Sequence, residues 1–426
     1  MKLRARWYIP LLFFGLGWSA PHAQAAESDF PRNDLYDRLY PTYIEYCGAS
    51  QRIKSAVANE LGSAGGKFGH GFIYLKGACR DENPAYPRIH SCAANDPGEH
   101  GVGISVNSDF SNANWVAVPS KDFYLHGLTG PSGSLNVSTY MNTKELAKSL
   151  GILNGVTFSE AALTANKNPN ITREEYMYEE SYGTDFATQN GRNLHCVKVP
   201  VQPVELEKMV SYLNARNDYY HAHGNYVWKD TNNCATNSDN ALAAAGFWEP
   251  LPVDGPDLFS LGEIAIPLNS FIRWVRRTHD LPIETLTVLY RDESARKMLL
   301  QTGQLPLRPG VVNEYFGINS PNQAFSTAIT EEFIALPPFY GLSYADFEAL
   351  TKAPQYTQLK ASLLKLQSRL LKVKANRQPL EMTLQGATRI EKESGVLWQF
   401  PEFYEAFYEW VDRTLVQVQE QLAHAN

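Results

Sequence analysis

Cys234 is the residue best placed to act as a nucleophile. It follows a turn-forming tract, Asp230, Thr231, Asn232 and Asn233, and precedes a helix-forming run from Ala241 to Ala245. That order predicts a thiol at a helix N-terminus, where unpaired N–H groups and the helix dipole favour the thiolate. A thiolate attacks carbonyl carbon when an imidazole takes the thiol proton and a third polar group holds the imidazole in one tautomer. The expected base is His70, in GGKFGHGFIYL. Aromatic and β-branched residues at 68–75 predict a strand, and its period of two puts Phe68, His70, Phe72 and Tyr74 on one face. Asn107 is the expected orienting group, because it lies on the next predicted strand, GVGISVNSDF. Ser105 and Asp109 on that strand are alternatives. Tyr226 and Asn233 are candidate oxyanion donors.

Each of these residues also has a plainer reading. Cys234 would be a buried structural thiol, and His70 a hydrogen-bonded core histidine. His126 in a Gly-rich loop, His195 beside Cys196, and His221 and His223 on a turn-rich approach to Cys234 are rival bases. The pair His221-x-His223 lacks a companion cluster at zinc spacing, so no metal site is expected. No glycine pattern of the phosphate-binding kind precedes a helix, and no cofactor is expected.

The cysteine count is odd, at five. Cys79 and Cys92 bracket the turn-rich stretch RDENPAYPRIHS and form the first expected disulfide. Cys47 with Cys196 follows by elimination, which leaves Cys234 as the free thiol.

The elements that must position these groups come from the rest of the chain. Lys2, Arg4 and Arg6, an apolar run from Trp7 to Ala20, and Ala23-Gln24-Ala25 predict a secretory signal peptide over 1–25. No later run is long and apolar enough to predict a transmembrane helix, so the expected location is periplasmic or secreted. Residues 26–254 are expected to form the Cys/His domain, and residues 255–426 a mainly helical C-terminal region. Residues 50–61 have helical spacing, Thr143–Leu150 and Pro203–Ala215 predict helices, and Leu194–Val201 another strand. Leu359, Leu363, Leu366, Leu370 and Val373 recur at helical spacing, as do Phe403, Phe407, Trp410, Thr414, Val418 and Leu422. The net charge is −7 without a long basic tract, which disfavours nucleic acid as a partner.

Together these motifs resemble a known family. Gly69-His70 in the predicted strand and Asn233-Cys234 opening a helix are similar to the paired motifs of circularly permuted papain-like (NlpC-type) proteins. VNSDF at 106–110, GLTGPSG at 127–133 and RNLHCVKVPVQPVELEKMVSYL at 192–213 follow in the order found in the Lnb N-terminal periplasmic domain family. The chain departs from that family in Arg192-Asn193-Leu194-His195-Cys196, where an acidic-aromatic stretch is usual. It departs again in Ala235-Thr236, where an aromatic residue usually follows the cysteine. The resemblance implies an α+β fold, a circularly permuted papain-like domain with an antiparallel sheet packed on helices, joined to a helical C-terminal region.

It also implies a cysteine acyltransferase that works through a thioester on a lipoprotein or another amide or ester. The alternatives are a cysteine peptidase or cell-wall amidase, and a non-catalytic module that binds a peptide or lipid. The expected partners are thus lipoprotein, lipid or peptide substrates. A lipid substrate would require a peripheral membrane contact.

Overall fold

The computed structural model describes residues 35–49, 53–55, 63–64, 69–82, 84–92, 100–130, 132–164, 169–224, 232–251, 253, 266–318, 325–327, 344–385 and 399–425. The first half holds α1 (Leu35–Leu39), β1 (Tyr43–Ala49), β2 (Ile53–Ser55), β3 (Ser63–Ala64), β4 (His70–Lys76), β5 (Ala78–Arg80), β6 (Ile89–Ser91), β7 (Gly101–Val106) and β8 (Trp115–Pro119). Next come α2 (Lys121–His126), α3 (Val137–Ser149), α4 (Glu160–Thr164), α5 (Arg173–Ser181), β9 (Leu194–Pro200) and α6 (Pro203–His223). The second half holds α7 (Cys234–Ala244), α8 (Pro267–His279), α9 (Leu286–Arg291), α10 (Glu293–Thr302), β10 (Val311–Tyr315) and β11 (Phe325–Thr327). It ends with α11 (Tyr344–Lys352), α12 (Pro354–Thr357), α13 (Leu359–Ala375) and α14 (Phe400–His424).

The fold is α+β. Its centre is a six-stranded antiparallel sheet in the order β10-β9-β1-β4-β7-β8. The pleat sends alternate residues to opposite faces, and each face carries its own apolar cluster. Ile44, Tyr46, Ile73, Leu75, Val197 and Val199 face α6, α7 and α8. Tyr43, Cys47, Phe72, Tyr74, Val116 and Cys196 face α1, α2, α3 and α5. A third cluster is helical and joins α9, α10, α13 and α14 around Leu363, Leu370, Phe403, Phe407 and Trp410.

Both expected disulfides form, Cys47–Cys196 across neighbouring strands and Cys79–Cys92 across the β5–β6 hairpin, and Cys234 is free. Disulfides fit an oxidising compartment. Among the described residues no helix is long and apolar enough to cross a membrane. The expected signal peptide at 1–25 lies outside the described residues.

Two expectations change, and one strand had no counterpart in the sequence pattern. Helical spacing over 50–61 gives no described helix, since Ile53–Ser55 is a strand paired with β11 and β3. Strand β1 escapes the sequence pattern because all seven of its residues are buried, so no polar face alternates with an apolar one. The sheet unit also does not end at 254. Strand β10 pairs with β9, and α8 packs on β1 and β9. A buried fork from Arg308 to Glu205 (Nη1–Oε2 2.6 Å, Nη2–Oε1 2.6 Å) ties that later segment to the start of α6.

Candidate active site

The site lies at one end of the sheet. There Leu194 of β9, Ala49 of β1 and His70 of β4 form one row of paired residues. The β4–β7 ladder reaches only Ile73–Ile104, so the first residues of β4 diverge from β7. This leaves the Gly71 N–H to donate to the Cys234 sulfur, at 3.3 Å. The missing side chain at Gly71 leaves room for this approach. A Cβ there would lie 3.0 Å from the Tyr46 hydroxyl and 3.4 Å from the Ala235 Cα.

Helix α7 begins at Cys234, as expected. Asn233 is its N-cap, and its side-chain oxygen accepts from the Thr236 N–H at 3.0 Å. The side-chain oxygen of Asn233 is thus engaged in capping α7. Tyr226, the other expected oxyanion donor, lies outside the described residues. Burial raises the thiol pKa even though Cys234 keeps partial access to solvent. The opposing influences are the N–H groups of Gly71, Ala235 and Cys234 itself and the positive charge of Arg192.

His70 is buried at the start of β4, its ring near Phe72. It follows the Phe72–Tyr74 face, whereas α7 packs over Gly71 on the other face. No hydrogen bond joins His70 to Cys234. Instead His70 Nε2 lies 2.9 Å from Ser105 Oγ. The Ser105 hydroxyl has one proton, and it donates to the Thr184 carbonyl at 2.9 Å. Toward His70 it can then only accept, so the imidazole carries its proton on Nε2 and keeps its lone pair on Nδ1. Burial, then the nearby charge of Arg192, push the imidazole pKa down to about 3. At neutral pH the site therefore holds a neutral thiol and a neutral imidazole.

Ser105, rather than Asn107, touches the base. The Asn107 amide donates to Asp185 Oδ2 at 2.8 Å, and its oxygen accepts from the Asp109 N–H at 2.9 Å. The correction has a simple cause. His70 and Ser105 share a face of neighbouring strands, while Asn107 follows the end of β7 and turns toward the 183–185 segment. That segment is a turn in which three successive residues each hold one polar group. The Gly183 carbonyl accepts from Arg192, the Thr184 carbonyl from Ser105, and the Asp185 carboxylate from Asn107. Burial raises the Asp185 carboxyl pKa to about 7.

The rival histidines lie elsewhere. His126 is buried in α2, with its pKa lowered to about 4 mainly by burial. His195 packs among Phe271 and Phe347 on the α8 side. His221 and His223 sit on α6, which runs past the expected end at 215, and not on a turn. Their rings stack on different tyrosines, Tyr86 and Tyr219, so they do not converge on one ion.

Set against known protein families, curated proteins and solved structures, the chain matches none.

The sequence reading assigned no role to Arg192 or to the Gly183–Asp185 turn. Arg192 is among the largest fully buried side chains of the protein. An arginine just ahead of the apolar strand LHCVKVP was the available signal for it.

Proposed function

We propose that this protein is an exported thiol enzyme of the permuted papain-like kind, related to the Lnb N-terminal periplasmic domain family. In it Cys234 attacks an acyl carbon, His70 is the general base and Ser105 orients the imidazole. The observation that carries this reading is the Cys234 thiol at the start of α7, hydrogen-bonded to the N–H of Gly71, the residue that follows His70 in β4.

In the first half-reaction the Sγ–H proton passes to His70 Nδ1 as sulfur bonds to the acyl carbon. The carbonyl oxygen becomes an oxyanion, and the N–H groups at the helix start are the available donors. The imidazolium then protonates the leaving amine or alkoxide, and an acyl thioester remains. In the second half-reaction an amine or a water attacks the thioester, its proton goes to His70, and the thiol is regenerated. His70 follows the face of β4 opposite to α7 and no hydrogen bond joins the two side chains at rest, so transfer requires the imidazole to be brought within reach of Sγ.

The acceptor decides between a lipoprotein-type acyltransferase and a cysteine peptidase or cell-wall amidase. Incubation with acylated lipopeptide and with muropeptides, read by mass spectrometry, tests both. An acyl adduct on Cys234 with one substrate class is the expected result. Turnover that survives Cys234→Ala, or no adduct with either class, rejects the reading.

The resting Nε2–Ser105 hydrogen bond favours a second reading, a binding module on the same fold. It requires that Cys234→Ser leave the biological phenotype intact, whereas the enzyme reading requires its loss.

A further inference from the structure

We propose that the β5–β6 hairpin is a redox-gated metal site, in which Cys79, Cys92 and His100 hold a zinc-class ion once the Cys79–Cys92 disulfide is reduced. This goes beyond the thiol-enzyme reading and does not depend on it, since none of the three residues belongs to the Cys234 site. The sulfurs of Cys79 and Cys92 and a ring nitrogen of His100 all lie within 4.8 Å of one another. Two thiolates and an imidazole are a donor set for zinc rather than for calcium or magnesium, and they leave a fourth tetrahedral position to water.

The two disulfides of the protein are not equivalent. Cys47 and Cys196 are sealed in the central sheet, at 1% and 0% exposed. Cys79, Cys92 and His100 are each partly exposed, so a reductant and an ion can reach them. An accessible disulfide is the more labile kind.

Backbone bonds, as well as the S–S bond, gather the three donors. Gly77 joins β4 to β5 with φ 94° and uses both of its backbone groups. Its carbonyl accepts from the Cys92 N–H at 2.8 Å, and its N–H donates to the His100 carbonyl at 3.0 Å. Cys79 follows two residues later in β5, paired with His90 of β6. The hairpin is in turn fastened to α6. The Asn214 side chain donates to the Ile89 carbonyl at 2.7 Å and accepts from the Ile89 N–H at 3.1 Å. The donors thus stay close together when the S–S bond opens, and little further ordering is needed to bind an ion.

In the reduction, the thiolate of a dithiol reductant attacks one sulfur, the S–S bond breaks and a mixed disulfide forms. The reductant's second thiol then closes on its first. Two electrons pass to the protein, and Cys79 and Cys92 are left as thiols. Each thiol loses its proton to water as its sulfur bonds the ion, and His100 binds through a neutral ring nitrogen. Zn²⁺ with two thiolates carries no net charge, which suits a partly buried position.

The test is a Co²⁺ titration followed by Zn²⁺ competition, on the full chain carrying Cys234→Ala so that the free thiol does not contribute. The protein is treated with dithiothreitol, freed of it by gel filtration without oxygen, and compared with untreated protein. The reduced protein is expected to bind one Co²⁺ per chain with thiolate-to-cobalt charge-transfer absorbance, which Zn²⁺ removes. Untreated protein is expected to show none. Alkylation and peptide mapping should find Cys79 and Cys92 reduced and Cys47 still joined to Cys196. His100→Gln, which keeps both cysteines and their disulfide, should weaken Zn²⁺ binding at least about tenfold, since even a group behind a metal ligand is worth that much. Absence of the charge-transfer band in reduced protein overturns the proposal. So does a Zn²⁺ affinity unchanged in His100→Gln, or a band that appears only when Cys47 and Cys196 are reduced. Because Cys234 is absent from the tested chain, the outcome is read separately from acyl transfer.

Discussion

At the His70 end of the sheet, polar and charged groups are buried together. His70, Ser105, Asn107, Asp185 and Arg192 are all 6% exposed or less. In the helical region of α9, α10, α13 and α14 the interior is mainly apolar; Arg296 of α10 is buried against Tyr290, whereas other charges pair at the rim. Lys374 and Asp412 pair there at 2.6 Å with each side chain about half exposed. The contrast separates two uses of a side chain. Burying ionisable groups shifts their protonation equilibria, which marks this end as the candidate reactive one. Burying aromatic and aliphatic groups makes a firm support, and exposed pairs at its edge add little.

The largest expected effect breaks the reactive end. Cys234→Ala should reduce turnover by about 10⁴-fold or more, the scale of removing a nucleophile. Trp410→Ala should leave turnover per folded molecule unchanged. Steady-state kinetics on both variants, normalised to folded protein, checks this, and equal losses would erase the distinction between the regions.

The support should fail in the opposite way. Trp410 and Phe403 are fully buried in the helical cluster. Truncating either to Ala should destabilise by about 3–5 kcal/mol through lost burial and the cavity left behind. Denaturant unfolding followed by tryptophan fluorescence in Phe403→Ala measures it. A loss under about 1 kcal/mol would mean that the helices do not share a packed core. Breaking the Arg308–Glu205 fork by Arg308→Met should cost a similar about 3–5 kcal/mol, because it strands a buried carboxylate.

A pH experiment sharpens the same comparison. The folded Asp185 carboxyl titrates at about 7, above the ordinary aspartate value of about 3.9. The folded state therefore binds this proton more tightly than the unfolded chain. Stability attributed to Asp185 is highest below about pH 4 and falls as pH rises to about 7. Asp185→Asn should match the parent near pH 4 and exceed it at pH 8 by about 2–4 kcal/mol. His70 works in the other sense. Its lowered pKa removes stability as pH falls from about 6.5 toward 3. Melting curves of parent and Asp185→Asn at pH 4 and pH 8 test the sign. A gap that does not widen with pH would contradict it.

The smallest effect is expected at the rim. Lys374→Ala should change stability by less than about 1 kcal/mol, as exposed ion pairs do. A larger loss, read by the same denaturant titration, would show that the rim contributes to the support after all.

Much of this molecule was legible because its signals are local. An odd cysteine count with one pair bracketing a turn-rich stretch left Cys234 free, and both disulfides form. The asparagine before Cys234 caps its helix, and the apolar spacings in the C-terminal region bury Leu363, Leu370, Phe407 and Trp410. Strand β1 was not legible, since a strand buried on both faces shows no alternation. Nor was the joining of β10 to β9, which rests on backbone pairing between distant segments.

The sequence by itself determined which thiol is free, that it opens a helix, and that His70 lies on a strand. Those properties follow from residue type and near neighbours. Only the tertiary structure decided which group meets His70 and where the buried Arg192 is anchored. Ser105 differs from Asn107 by one turn of the pleat, and its role depends on a carbonyl 79 positions away at Thr184. Arg192 is likewise anchored by carbonyls, at Gly183 and Thr188. Every residue has a carbonyl, so such partners leave no mark on the side-chain pattern, and only the folded path of the chain selects them.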